Sequence, residues 1–505
     1  MTKPDDAKSD LSSRQRGGRA ELSTVIKRAR DIMRKDAGLN GDLDRIPQFA
    51  WLLFLKALDA REDQRAVFDG PRFRPLVEEP YRWRDWAAPE DLKDRVTGQD
   101  LQDFVNNRLL PYLRRRAGSE EREVIGTIFR DVQNRMISGN LLREVVDQID
   151  RIDFHAADDV HTMAHLYESM LQEMRDAAGD AGEFYTPRPV IRFMVKVVAP
   201  KLDEIILDPA CGTGGFLVET YEQVREAYRG RLSAPQLRRL EENLRGIDKK
   251  PLPYLLATMN LLLHGVDRPH LVRDNALAHA MAEHRRDRVD VILTNPPFGG
   301  EEESTVPKNF PTETRTTKTE WLFMQLVIER LRAGGRCAIV VPNSILFDVG
   351  IGAKVKKRLL ELCNLHTVVR LPNGVFAPYT VIPANLLFFE KSGPTRFIWF
   401  YELPPPAGRR NYTKTKPLRD DDLADLETWW GGPERDGRLE GEHSWRVPVA
   451  DLISKSYNLD LKNPHVGDGL AHRPPADLVA DLIIGETEIL TLLEEISREL
   501  GDSGL

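Results

Sequence analysis

The chain has 505 residues, with 79 acidic against 72 basic side chains and a formal net charge of −7. That length holds about three domains with self-sufficient cores. Its three cysteines, Cys211, Cys337 and Cys363, lack metal-ligand spacing, which excludes a disulfide scaffold and a zinc module and indicates a reducing compartment, the cytoplasm. The acidic balance is unlike a self-sufficient DNA binder, which is basic over its binding face, so any contact with DNA is local or borrowed from a partner.

Residues 1–17 are polar, carry Lys3, Asp5 and Asp6 without the apolar stretch of a signal peptide, and are expected to be flexible. Residues 18–160 read as a helical domain, with apolar periodicity over Leu22 to Lys35, Phe49 to Ala60, Leu101 to Arg115 and Glu121 to Met136. Gly38 to Gly41 and Gly70-Pro71 are its turn signals. Apolar runs such as Trp51 to Leu55 and Ala384 to Phe389 are too short to span a bilayer, so no membrane association is expected. Tyr81, Trp83 and Trp86 suit packing between helices better than base stacking. The run Arg114 to Arg116 reads as a solvated helix face.

From 161 to 394 strands and helices alternate, the pattern of a doubly wound α/β sheet. A short apolar strand, Ile205 to Leu207, enters Asp208-Pro209-Ala210-Cys211-Gly212-Thr213-Gly214-Gly215-Phe216 and then a helical pattern. Strand, glycine turn and helix cradle a nucleotide-like ligand outside the carboxyl ends of the strands. No Gly-Lys-Ser/Thr follows, so this is not a phosphate-binding loop. Gly246-Ile247-Asp248 ends the next strand, where an acid either accepts two ribose hydroxyls or caps the following helix. Asp274 and Asn275 follow the weak strand Leu271 to Val272, where Asp274 taken by itself reads as a strand-end acid capping the next helix. Val289 to Thr294, a buried parallel strand by its β-branched run, delivers Asn295-Pro296-Pro297-Phe298. The prolines fix φ and remove backbone donors, which leaves the Pro296 carbonyl and the Asn295 side-chain oxygen as acceptors for a planar amino group. Phe298 adds a flat face for a ring.

These motifs resemble those of the amino-group DNA methyltransferases that modify the exocyclic N6 of adenine. The resemblance implies S-adenosylmethionine as cofactor and a Rossmann-like, seven-stranded fold ending in an antiparallel hairpin. It puts Asp208 on the cofactor's methionine amino group, Ala210, Gly212, Thr213, Gly214 and Gly215 around it, Asp248 on the ribose, and Asp274 with Asn275 at the adenine. Upstream, Glu183-Phe184-Tyr185-Thr186-Pro187-Arg188 looks like the segment that covers the cofactor in this family. Asp248 stands where glutamate is commoner, and Arg273 where glycine is usual. The helical front domain, Leu371 to Phe376 and Tyr457 to Asp460 resemble the methylation subunit of Type I restriction-modification systems, over about Ala20 to Leu461.

A site-specific adenine N6-methyltransferase of this kind acts on double-stranded DNA. An adenine amine is a poor nucleophile because its lone pair is delocalised. Acceptance of both N–H bonds by Asn295 and the Pro296 carbonyl returns density to nitrogen. The base must leave the duplex, and stacking on Phe298 offsets part of that cost. No metal is required. Lys308, Arg315 and Lys318, in the polar loop Gly299 to Glu320, are the local candidates for DNA contact. Residues 395–475 read as linker and extension, and 476–505 as an amphipathic helix for internal packing or a partner. Little sequence is left after the catalytic domain for a target reader, so a specificity subunit is expected as partner, with two copies of this chain around it and a restriction subunit as a further associate. The alternatives are a stand-alone adenine methyltransferase of another phage-defence system, a protein glutamine N5-methyltransferase, for which Tyr at 298 and a shorter chain would speak, and a non-catalytic assembly subunit.

Overall fold

A computed structural model of the chain describes residues 24–152 and 186–465, apart from 378, 379, 381, 407 and 414, together with residue 486. The N-terminus expected to be flexible, the start of the covering segment (Glu183, Phe184, Tyr185) and the tail 476–505 expected to be helical, residue 486 apart, therefore lie outside the described residues.

The described residues of the front domain form helices joined by loops and no strand, and the helix expected over Glu121 to Met136 ends at Phe129. Helix Asp42–Asp69 is 28 residues long and extends the expected Phe49 to Ala60 in both directions. The segment Leu101 to Arg115 is not one regular helix: Gly98–Phe104 widens into a π turn, Val105–Leu109, before Leu110–Arg114. Pro111 removes an intrahelical donor there, and the π turn immediately precedes it. Ser119 and Ser138 cap the last two helices by accepting from the N–H groups of Arg122 and Leu141, both at 3.3 Å. Trp83 and Trp86 are buried and edge-on to each other, and Tyr81 stacks on Tyr112 at 4.0 Å, which is interhelical packing. The arginine run differs from a solvated face: Arg114 donates to the Val132 carbonyl at 2.6 Å and Arg116 to that of Leu76 at 3.0 Å.

The second part is built on one nine-stranded sheet in the order β3-β2-β1-β4-β5-β7-β6-β8-β9. Its strands are β1 (Ile206–Asp208), β2 (Leu244–Asp248), β3 (His270–Arg273), β4 (Val289–Thr294), β5 (Leu331–Pro342), β6 (Asn364–Arg370), β7 (Ala384–Glu390), β8 (Phe397–Glu402) and β9 (Ser444–Pro448). The first five run parallel, and β7 lies antiparallel between β5 and β6. The sheet goes beyond seven strands because β8 adds parallel to β6 and β9 antiparallel to β8, both from the stretch read as linker and extension. Each central strand is buried on both faces: Val291 and Leu293 of β4 enter one apolar layer and Ile292 the other.

Helix Pro251–Leu263 joins the two parts. It is apolar on opposite sides because Leu256, Met259, Leu262 and Leu263 pack into the front domain while Ala257 and Leu261 pack against the sheet. Arg61 and Asp267 form an ion pair at the same seam. Strand order reverses between β1 and β4, whose carboxyl ends carry Asp208 and Asn295 side by side. A ligand crevice is expected at that switch point. Among the described residues no helix is long and apolar enough to cross a membrane.

Candidate functional site

The glycine loop leaves β1 and turns into helix Gly215–Ala227. Gly212 and Gly214 hold φ of 54° and 79°, the left-handed region that favours glycine. At Gly215 the constraint is space: a Cβ would lie 2.7 Å from Cδ1 of Ile191 on helix Arg188–Val198. Asn260, a polar residue inside the apolar joining helix, donates to the Thr213 carbonyl at 3.0 Å and supports the loop from below.

Two acids converge on this loop. Asp208 is buried, and burial pushes its carboxyl up to about 7; the Asp248 carboxylate adds to the rise, while the Thr294 side chain and the Ala210 N–H, at 3.2 Å, pull the other way. An acid held up in this way regains its charge when a cation arrives beside it. Asp248 accepts from the Gly212 and Lys250 N–H groups, both at 2.9 Å. Each of its oxygens accepts one of these bonds. This donor set fits a ligand with a cationic amino group and a ribose.

Asp274 leaves β3 with its N–H on the Asp248 carbonyl at 3.0 Å, so the two acid-bearing loops are joined. Its carboxylate accepts from the Asn275 N–H at 2.8 Å and meets His279 Nε2 at 2.5 Å. That contact is the main reason His279 is held above the usual histidine range. A cavity of about 250 Å³ opens beside it, bordered by Pro209, Ile247, Ala276 and His279.

The tetrapeptide follows β4 directly. The Asn295 side-chain NH₂ donates to the Thr186 hydroxyl at 2.9 Å, while its carboxamide oxygen is buried with no partner among the described residues. A buried acceptor left open is costly, and it is available to an incoming N–H donor. Phe298 is half-buried, its ring 5.8 Å from that of Phe376 and tilted by 60°. Phe376 belongs to the Leu371 to Phe376 stretch, which this packing brings to the site.

Thr186, Pro187 and Arg188 lead into helix Arg188–Val198 at this site. Lys308, Arg315 and Lys318 are exposed on the segment after the tetrapeptide, with Lys318 paired to Asp348 at 3.1 Å and Arg315 donating to the Phe310 carbonyl at 3.4 Å. Sequence reading missed Asn260, Thr294, His279, Phe376 and Glu302, the last of which accepts from Asn275. Asn260 carried a signal as a lone amide in an apolar helix, and Phe376 as the last residue of the stretch Leu371 to Phe376. All three thiols are buried and pushed up by burial, so none is reactive.

The chain is similar to known proteins along most of its length. Residues 158–469 match the N-6 DNA methylase family and residues 22–149 the HsdM N-terminal domain family. Over 487 residues the chain is 43% identical to the methylase subunit of the Type I restriction enzyme EcoEI of Escherichia coli, across 95% of this chain and 98% of that one. A crystal structure of a modification subunit assigned to a type I restriction enzyme of Vibrio vulnificus YJ016 superposes with a TM-score of 0.80 at 47% identity, covering 90% of this chain and 99% of that one. A chain from a structural study of complex assembly in a type I restriction-modification system superposes with a TM-score of 0.73 at 39% identity, covering 96% and 99%.

Proposed function

Because this chain belongs to the N-6 DNA methylase family, as a methylase subunit of the Type I restriction-modification kind, we propose that it methylates the N6 amine of an adenine turned out of double-stranded DNA. S-adenosylmethionine supplies an electrophilic methyl group when bound. Asp208 would hold its amino group, Asp248 its ribose and Asp274 its adenine, beside the glycine loop.

The observation that carries this reading is the open, buried oxygen of Asn295. With its NH₂ committed to Thr186, the amide presents oxygen to the site. An amine donating one N–H there and the other to the Pro296 carbonyl is drawn toward a tetrahedral nitrogen whose lone pair is free to attack. Asn295 is neutral and takes no proton, so as the N–C bond formed and the sulfonium C–S bond broke, the displaced N–H proton would pass to solvent. Phe298 offers its face to the extruded base, which offsets part of the unstacking cost of a few kcal/mol.

Target sequence is read by a separate specificity subunit, with two copies of this chain serving the two strands and a restriction subunit joining the same assembly. The acidic net charge of −7 supports a borrowed DNA-reading surface. A DNA-modifying reading also implies a cytoplasmic location. Methylation of a defined duplex by the chain with and without the specificity subunit, mapped base by base, tests the whole reading.

A further inference from the structure

Glu302 stands four residues after Phe298, and its side chain is only 10% exposed. One carboxylate oxygen, Oε2, accepts from Asn275 Nδ2 and from Lys249 Nζ, both at 3.0 Å. These partners immediately follow Asp274 and Asp248, the acids assigned to the cofactor's adenine and ribose. Asn275 is held in one orientation because its own oxygen accepts the Leu277 N–H at 3.0 Å, which aims the NH₂ at Glu302. The backbone of Glu302 belongs to the neck of the next segment: its N–H donates to the Thr317 carbonyl at 2.9 Å, Thr319 N–H donates to the Gly300 carbonyl at 3.3 Å, and Glu301 pairs with Lys318. One side chain therefore links both cofactor-facing loops to the base of the segment 299–320.

We propose that Glu302 is a positioning residue that couples cofactor binding to the ordering of the segment 299–320, beside which the target base must enter. This rests on the function proposed above. Cofactor contacts on Asp248 and Asp274 fix the loops that carry Lys249 and Asn275, and through Glu302 they fix the neck. By linkage, a segment already held in place favours cofactor binding by the same factor.

The test is hydrogen exchange on the full chain with and without S-adenosylhomocysteine, for the parent, Glu302→Ala and Glu302→Gln. In the parent, ligand slows exchange at both 208–215 and 299–320. In Glu302→Ala the slowing at 299–320 disappears while that at 208–215 persists, and cofactor affinity falls by about threefold to tenfold, a modest factor because Lys249 is half-exposed. Glu302→Gln keeps an acceptor for Asn275 and recovers part of the effect. Lys249→Met added to Glu302→Ala costs nothing further if the two act through one contact. Equal slowing at 299–320 in parent and Glu302→Ala, or none there in a parent that is slowed at 208–215, overturns the role of Glu302 alone. Absence of slowing at 208–215 in the parent overturns the proposed function itself.

Discussion

The Asn295 side-chain NH₂ donates to the Thr186 hydroxyl at 2.9 Å, and its carboxamide oxygen is then the end left without a partner among the described residues. The bond ties together two chain segments 109 residues apart. Thr186→Val removes the acceptor, lets the amide rotate, and should lower the methyl-transfer rate about tenfold with little change in cofactor affinity. Thr186→Ser should retain most of the rate. Single-turnover kinetics on the assembled enzyme checks both, and a Thr186→Val enzyme with unchanged rate would remove the orienting role.

Phe298 and Phe376 form the aromatic side of the crevice. Phe298→Ala should weaken binding of the extruded base by about 1–3 kcal/mol. Phe376 is buried, so Phe376→Ala should also lower folding stability, by about 3–5 kcal/mol. Fluorescence of 2-aminopurine at the target position, alongside thermal unfolding, separates the two effects.

Asp208 predicts a pH dependence with a definite sign. Its usual value of 3.8 rises to about 7 in the folded chain, so the folded form holds a proton there that the unfolded form has already released. The stability this contributes is present below about pH 4 and is lost as pH rises through about 7. A cationic ligand favours the ionised acid, so cofactor affinity should increase from pH 6 to 8, by at most about tenfold per unit. Asp208→Asn should remove that slope. His279, also in this region, is held above the usual histidine range chiefly by its hydrogen bond with Asp274. Calorimetry in buffers of different ionisation enthalpy should show proton release near pH 7 in the parent; proton uptake would contradict the assignment.

In the glycine loop, Gly214 combines a φ of 79° with a Cβ position 3.4 Å from Ala257 Cβ. Gly214→Ala should therefore cost about 1 kcal/mol or more in stability as well as cofactor affinity. Asp248→Ala should lower cofactor affinity through the lost ribose acceptor and through the freed Gly212 N–H. Unchanged affinity in a folded Asp248→Ala chain would remove that residue from the site.

Local chemistry was legible in the sequence wherever one short segment carries it. The turn from Ile206 to Gly215 and the tetrapeptide after β4 need only strand, turn and helix signals, and β1 and β4 place them side by side. The Glu302 contacts span 27 and 53 residues and depend on packing, so no spacing in the sequence announces them. The run Phe397-Ile398-Trp399-Phe400-Tyr401 did carry a strand signal, but the prolines and polar residues around it read as linker, and only pairing with β6 reveals its place. The break in Leu101 to Arg115 follows from Pro111, which apolar periodicity alone does not register.

The most direct measurement compares the parent with Asn295→Ala, each assembled with the specificity subunit, by base-resolved methylation of a defined duplex and by cofactor titration. The parent should place methyl groups on adenine N6 at one sequence on each strand. Asn295→Ala should lose the rate by about 10²-fold or more, with cofactor affinity nearly unchanged, because the residue addresses the amine and not the cofactor. Comparable loss of cofactor affinity and rate would contradict the role given to the open Asn295 oxygen, and robust site-specific methylation by the parent chain alone would contradict its reading as one subunit of a larger enzyme.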